Sequence, residues 1–348
     1  MNIAVTGLNA TDNPGPGVPV IRCLREQDEF TPRLIGLNYD ALEPGIYMDD
    51  IASANYFIPY PSNGLENLFE RLMYIHSKEK LDIIIPTLDS ELYGFIKLQD
   101  RLKAQGIETY LPRIDSLNWR GKDKLFDFCK ANDISVPKNE VVTNERDLKS
   151  KAKELGYPVV VKGIFYEAYI SYNEEELEGQ YRKLVNKWGF PIILQEYIKG
   201  DEFNVCALGD GEGETVGAVA MRKLYITDKG KGWAGVTIND EELLSLTHKT
   251  IRRMKWRGGM ELEFMKSKKD GKFYLLEINP RFPAWVYLTK AAGLNLPHLM
   301  VKLIKGEKFT YPTEFEIGKM FVRCSWDLIT DMKQFENITV NGEMTNNG

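Results

Sequence analysis

The sequence predicts an α/β domain followed by an α+β unit. Two patterns carry this expectation. In the first third, short apolar runs alternate with amphipathic stretches at helical spacing, the βαβ rhythm of a doubly wound parallel sheet. From about residue 192 onward strand-like runs dominate, with helices interrupting and following them, which is an α+β pattern. The length, 348 residues, accommodates two to three domains at roughly 150 residues each.

In chain order, Ile3 to Thr6 reads as a strand, followed by the loop Gly7 to Gly17 and a helix over Val18 to Glu26. Leu34 to Leu37 and Tyr56 to Ile58 are further strands. Leu65 to Ser77 is an amphipathic helix, Leu81 to Pro86 a buried strand ending at proline, and Glu91 to Gln105 a helix. The loop after the first strand occupies the position where open α/β sheets bind ligands. It lacks GxGxxG and carries two prolines, so a dinucleotide site is disfavoured. Helices are expected over Asp123 to Asn132 and Asn144 to Leu155, then a strand over Tyr157 to Lys162. Strands follow at Ile192 to Tyr197, Phe203 to Leu208, Val216 to Leu224, Gly259 to Met265 and Phe273 to Ile278. Helices are expected over Asp240 to Met254 and Ala284 to Ile304, and the Asn-rich end from Asn341 as a frayed tail.

Composition narrows the function classes. Lys and Arg total 45 against 50 Asp and Glu, for a net charge of −5. That balance argues against a dedicated nucleic-acid or anionic-membrane partner, which requires a basic surplus. No apolar run reaches the ~20 residues of a membrane-spanning helix, and the first residues read as a strand rather than a leader. Cys23, Cys129, Cys206 and Cys324 show no CxxC pair, so reduced thiols in a cytoplasmic setting are expected. The three histidines, His76, His248 and His298, lie far apart in sequence, which disfavours His-based catalysis or a His-rich metal site.

The chemistry-bearing residues are concentrated in the second half. Glu261 and Glu263 lie two apart on one expected strand, and Glu277 and Asn279 two apart on the next. Residues two apart share a strand face, and the intervening Asp270-Gly271 is a hairpin turn signal. The hairpin would therefore gather three or four oxygen donors, which suits hard Mg²⁺ bound by one or two carboxylates plus substrate phosphates. A solvated strand face is the ordinary alternative. Lys162 closes the apolar run Val159 to Val161, where a phosphate can meet its ammonium, and Lys124 precedes a helix. Either alone also suits a surface lysine. Ile192 to Glu202 is an apolar strand running into a polar bend that can offer Glu196 and backbone groups to a purine edge.

In this order and spacing the features resemble the ATP-grasp superfamily over nearly the whole chain. The matching pieces are Asp123-Lys124, Tyr157 to Lys162, Leu194 to Ile198 followed by Gly200-Asp201-Glu202, and Glu263 with Glu277-Ile278-Asn279-Pro280-Arg281. The resemblance implies a pre-ATP-grasp parallel βαβ domain over 1–115 and a two-lobed ATP-grasp fold. Its small lobe would span 116–190 and its C-terminal lobe 191–325, before an extension over 326–348. It implies that Lys124 and Lys162 hold ATP phosphates, that Glu196 and the Ile198 backbone read adenine, and that Glu202 binds or supports ribose. Glu263, Glu277 and Asn279 would ligate Mg²⁺ (or Mn²⁺), and Arg281 would face the substrate carboxylate or the transferring phosphate.

The sequence departs from this pattern after Lys162. Gly163 to Tyr169 contains one glycine where the family has a glycine-rich flap over the triphosphate. Arg222, Lys223 and the loop Thr227 to Gly235, with Lys231, are candidates for an alternative lid; a glycine-rich surface turn is the plainer reading. The expected activity is an ATP- and Mg²⁺-dependent carboxylate–amine or carboxylate–thiol ligase. Its substrates would be a small-molecule or peptide carboxylate and an amine, and a homodimer is the default assembly. Alternatives are a reaction like that of carbamoyl-phosphate synthase or biotin carboxylase, or a non-catalytic ATP-binding regulator.

Overall fold

The computed structural model describes residues 1–348 apart from 12–13, 28–29, 122–123, 164–166, 229 and 346–348. Asp123, Lys229 and residues 164–166 of the expected short flap therefore lie outside the described residues. The elements in chain order are β1 (Asn2–Thr6), α1 (Gly17–Arg25), β2 (Arg33–Asn38), β3 (Ala54–Phe57), α2 (Leu65–Glu79), β4 (Ile83–Ile85) and α3 (Asp89–Lys103). Next come α4 (Ile114–Trp119), α5 (Leu125–Ala131), β5 (Asn139–Val142), α6 (Leu148–Leu155), β6 (Val159–Gly163), β7 (Ala168–Ser171), α7 (Glu174–Trp188) and β8 (Ile192–Glu196). The remainder comprises β9 (Gly200–Asp210), β10 (Thr215–Ile226), β11 (Gly232–Thr237), α8 (Glu241–Met254), β12 (Arg257–Ser267), β13 (Phe273–Asn279), α9 (Tyr287–Ala291), α10 (Leu296–Ile304), β14 (Met320–Val322), α11 (Met332–Asn341) and β15 (Glu343–Thr345).

Two compact units form. One comprises Met1–Ser116, Asn204–Glu261 and Asn279–Gly348, the other Leu117–Phe203 and Leu262–Ile278. The first unit contains a sheet of order β15-β3-β2-β1-β4. Strands β3, β2, β1 and β4 are parallel, as the βαβ rhythm predicts. Both faces of β1 are buried: Ile3 and Val5 belong to one apolar cluster and Ala4 to another. A strand covered on both sides must be apolar throughout, which is why this segment shows no polar alternation.

A second sheet has the order β13-β12-β9-β10-β11-β14. The second unit has a four-stranded antiparallel sheet of order β5-β8-β6-β7. One of its faces carries Val142, Val159, Val161, Ile192 and Leu194, which pack with Leu148 and Ala152 of α6 and Leu177, Tyr181 and Leu184 of α7.

Several expectations are corrected. The end of the chain does not fray at Asn341: Glu343, Met344 and Thr345 pair antiparallel with Tyr56, Asn55 and Ala54. Met344, 7% exposed, seats this strand by packing with Ile46 and Ile338. The expected helix Ala284 to Ile304 is two helices, because Gly293 adopts φ +87 and Asn295 starts a new cap, accepting from His298 N at 3.3 Å. Residues 232–235, expected in a lid loop, belong to β11, ahead of which Thr227 N donates to Lys231 O at 2.8 Å. Helix α7 was not anticipated. Its signal is Asn173, which caps Glu176 N at 2.9 Å, while Glu176 in turn accepts from Tyr172 N, an arrangement close to a capping box.

Cys23, Cys129 and Cys206 are buried and Cys324 is exposed, and burial pushes the Cys129 thiol up to about 12. Among the described residues, no helix is long and apolar enough to cross a membrane.

Candidate functional site

The loop after β1 is closed on itself. Gly15 N donates to Asn9 O at 2.7 Å and Gly17 N to Gly7 O at 2.9 Å. A Cβ on Gly17 would stand 2.1 Å from Thr6 O, so only glycine permits α1 to begin this close to β1. These amides serve the loop's own carbonyls, which distinguishes it from a phosphate cradle. Under the loop, Glu91 is completely buried at the start of α3 and ties three strand ends together. It accepts from Thr87 N at 2.8 Å and Leu88 N at 2.9 Å, and from the hydroxyls of Thr6 and Tyr39. Burial raises its pKa above the usual carboxylate value, and these four donors oppose the rise.

In the second unit, Lys124 is exposed at the start of α5, and Lys162 is half-buried on β6. The register sets Lys162 opposite Ile193 and Val160 opposite Gln195, whereas Glu196 stands opposite Val159. Directly paired residues share a face and neighbours alternate. Lys162 and Gln195 therefore lie on one face, and Glu196 on the helix-covered face with Val159, Val161 and Leu194. Glu196 there accepts from Lys138 N at 3.2 Å while its own amide donates to Lys138 O at 2.8 Å. Sequence reasoning missed Gln195, because its parity relative to Lys162 exists only in the strand pairing. Ile198 lies in the link between β8 and β9, and Glu202 is half-buried on β9. Lys162 also pairs with Ala168, so only residues 164–167 separate β6 from β7.

Glu263 on β12 and Glu277 on β13 are half-buried on neighbouring strands of the second unit. Asn279, at the end of β13 and 9% exposed, belongs to the first unit, as do Arg281, Arg222 and Lys231. Arg281 is held by two carboxylates that fix its guanidinium. Its Nε donates to Asp89 Oδ1 at 2.9 Å and its Nη1 lies 3.6 Å from Glu261 Oε2. Asp89, at the first position of α3, was absent from the sequence-derived set, its partner lying 192 residues away.

Arg222 and Lys231 do not converge. Arg222 pairs with Val236, and Lys231 sits beyond the Ile226–Gly232 pair at the hairpin tip, about 13 Å along the strand at ~3.3 Å per residue.

The donor chemistry fits Mg²⁺. Among the described residues no three His, Cys, Asp or Glu side chains cluster to hold a metal by themselves. Glu263 and Glu277, carboxylates on neighbouring strands, are donors of the kind Mg²⁺ takes, one or two carboxylates together with substrate phosphates.

Comparison with known proteins agrees with this architecture. A family model described as ATP-grasp in the biosynthetic pathway with Ter operon matches residues 190–322. The carbamoyl phosphate synthase large chain of Clostridium perfringens is 25% identical over 272 residues, covering 74% of this chain and 24% of that one. The chain thus spans about a quarter of the length of the curated relatives it matches. Among solved structures, the biotin carboxylase–β-γ-ATP complex from Campylobacter jejuni superposes with a TM-score of 0.70 at 18% identity, covering 92% of this chain and 74% of that one. The L-amino acid ligase of Bacillus licheniformis superposes with a TM-score of 0.65 at 17% identity, covering 87% and 73%. The family-model match over residues 190–322 and the fold shared with these structures support an ATP-grasp superfamily protein.

Proposed function

We propose that this chain is an ATP- and Mg²⁺-dependent ligase that joins a carboxylate to an amine or thiol. The observation that supports this reading is the pairing of β12 with β13, whose Glu263, Glu277 and Asn279 would serve as oxygen donors, followed by the doubly anchored Arg281. Glu263, Glu277 and Asn279 would hold Mg²⁺, which would supply charge neutralisation for phosphoryl transfer. Lys162 on β6, with Gln195 on the same sheet face, would meet the phosphates and the base edge respectively, and Lys124 is a second phosphate partner. Glu196, tied to Lys138, would support the strand end, with the Ile198 backbone beside the base and Glu202 toward the ribose. Arg281, rigid between Asp89 and Glu261, would orient the substrate carboxylate or the transferring phosphoryl group.

A carboxylate oxygen would attack the γ-phosphorus as the bond to ADP breaks, giving an acyl phosphate. The amine or thiol would then attack the acyl carbon, expelling inorganic phosphate and losing a proton. Such chemistry rests on positioning and charge stabilisation rather than on a protein nucleophile. That agrees with a chain whose three histidines are scattered in sequence and three of whose four thiols are buried.

A second reading, nucleotide binding without turnover, is favoured by the short β6–β7 connection. Calorimetry with a non-hydrolysable ATP analogue and Mg²⁺, on wild type and Lys162→Ala, tests the nucleotide site. Micromolar binding lost in the variant supports it; absence of binding to wild type rejects it. ADP release in a screen of acids with amines then separates ligase from pure binder.

A further inference from the structure

Glu261 is a heavily engaged buried carboxylate, to which the ligase reading gives no task beyond anchoring Arg281. It is 5% exposed. Its Oε1 accepts from Asn204 Nδ2 at 2.6 Å and from Trp285 Nε1 at 2.6 Å. Its Oε2 accepts from Asn279 Nδ2 at 3.0 Å and lies 3.6 Å from Arg281 Nη1. Burial pushes the Arg323 pKa down while the charge of Glu261 opposes that fall, so a second guanidinium also acts on this carboxylate. A carboxylate this buried must be compensated by donors and cations, and here the donors come from β9, β13 and the segment leading into α9.

We infer that Glu261 is a positioning residue that fixes the amide of Asn279 with its nitrogen turned inward and its oxygen presented as a ligand. The inference rests on the ligase reading above, because it assigns Asn279 Oδ1 to the metal. The chemistry is directional. An ionised carboxylate only accepts, so the Asn279 group facing it must be the NH₂. An amide has two ends of opposite role, and rotation would replace the metal-binding oxygen with a nitrogen that has no lone pair to give. Glu261 removes that choice. Through its second oxygen it also sits beside Arg281, so one buried charge orients both residues at the end of β13. Outer partners that orient ligands in this way typically contribute about 10–100-fold to metal affinity.

The substitution Glu261→Gln makes the directional argument testable. Its new NH₂ cannot face Oε1's two donors without conflict, because the Trp285 indole cannot exchange a donor for an acceptor. The amide nitrogen therefore takes the Oε2 side and meets Asn279 Nδ2, forcing the Asn279 amide to rotate. The double variant Glu261→Gln/Asn279→Asp restores the match. One oxygen of the carboxylate introduced at position 279 accepts from the NH₂ introduced at position 261, and the other remains for the metal.

The experiment is Mn²⁺ titration by electron paramagnetic resonance in the presence of adenylyl imidodiphosphate, with circular dichroism on each variant. Glu261→Gln is expected to bind Mn²⁺ about 10–100-fold more weakly than wild type, and the double variant more tightly than either single variant. Wild-type affinity in Glu261→Gln overturns the inference and leaves the ligase reading standing. Weak binding or unfolding in both Glu261→Gln and the double variant also overturns it, since Glu261 would then be merely structural. No Mn²⁺ binding by wild type with the nucleotide overturns the ligase reading, and this inference with it.

Discussion

Glu43 offers a prediction whose sign and size follow from burial. It lies between β2 and β3, 5% exposed, with Oε1 accepting from Tyr39 N at 2.8 Å. Its Oε2 is buried with no hydrogen-bond partner among the described residues. Burial is the main cause raising its pKa from 4.5 to about 7, helped by the charge of Glu91 and opposed by the amides of Tyr39 and Asp40. Between those values the native state binds more protons than the unfolded state, so stability falls as pH rises. Below about 4.5 the carboxyl is protonated in both states and costs nothing. Above about 7 the full penalty applies, about 3 kcal/mol at ~1.4 kcal/mol per pH unit. Glu43→Gln cannot ionise and removes this slope. The assay is native-state hydrogen exchange of peptides from β1, β2 and β3, read as the ratio of variant to wild-type protection at each pH. The ratio should rise by roughly a hundredfold in favour of the variant between pH 4.5 and 8, the equivalent of those ~3 kcal/mol. A ratio that stays constant across this range would mean that Glu43 remains ionised in the native state, and the burial argument would fail.

Three further outcomes are expected. Gly17→Ala, whose Cβ would stand 2.1 Å from Thr6 O, should destabilise the first unit by more than about 2 kcal/mol; an unchanged melting temperature would contradict the close β1–α1 approach. Gln195→Ala should weaken binding of an ATP analogue about tenfold, the loss of one hydrogen bond near 1.4 kcal/mol, while Glu196→Ala should change it less than about threefold; calorimetry giving the reverse order would reject the face assignment. Glu263→Ala and Glu277→Ala should each abolish ADP release with the circular dichroism spectrum intact, and unchanged ADP formation in both would exclude them as metal ligands.

Many of the strands and most of the helices were legible because each rests on local patterning. The apolar runs of β1, β2 and β4 announce a sheet buried on both faces, and the 3.6-residue periodicity of α2 and α3 announces its cover. The residues of the β12–β13 pair were also legible, because two-residue spacing and an Asp-Gly turn are local signals. Other features depend on partners distant in sequence. Strand β15 has little apolar character of its own and forms because β3 offers an open edge and Met344 a place to pack. Asp89 meets Arg281 across 192 residues.

By itself, then, the sequence indicated the parallel strands of the first sheet, most of the helices and the oxygen-bearing residues proposed for the site, since these are properties of short stretches of chain. The tertiary structure alone decided which face each side chain occupies and what orients it. It put Gln195 rather than Glu196 on the face of Lys162, and it drew the donors from β9, β13 and the approach to α9 onto Glu261. The reason is that strand parity and amide direction are fixed by partners, and no residue carries its partner's register in its own sequence.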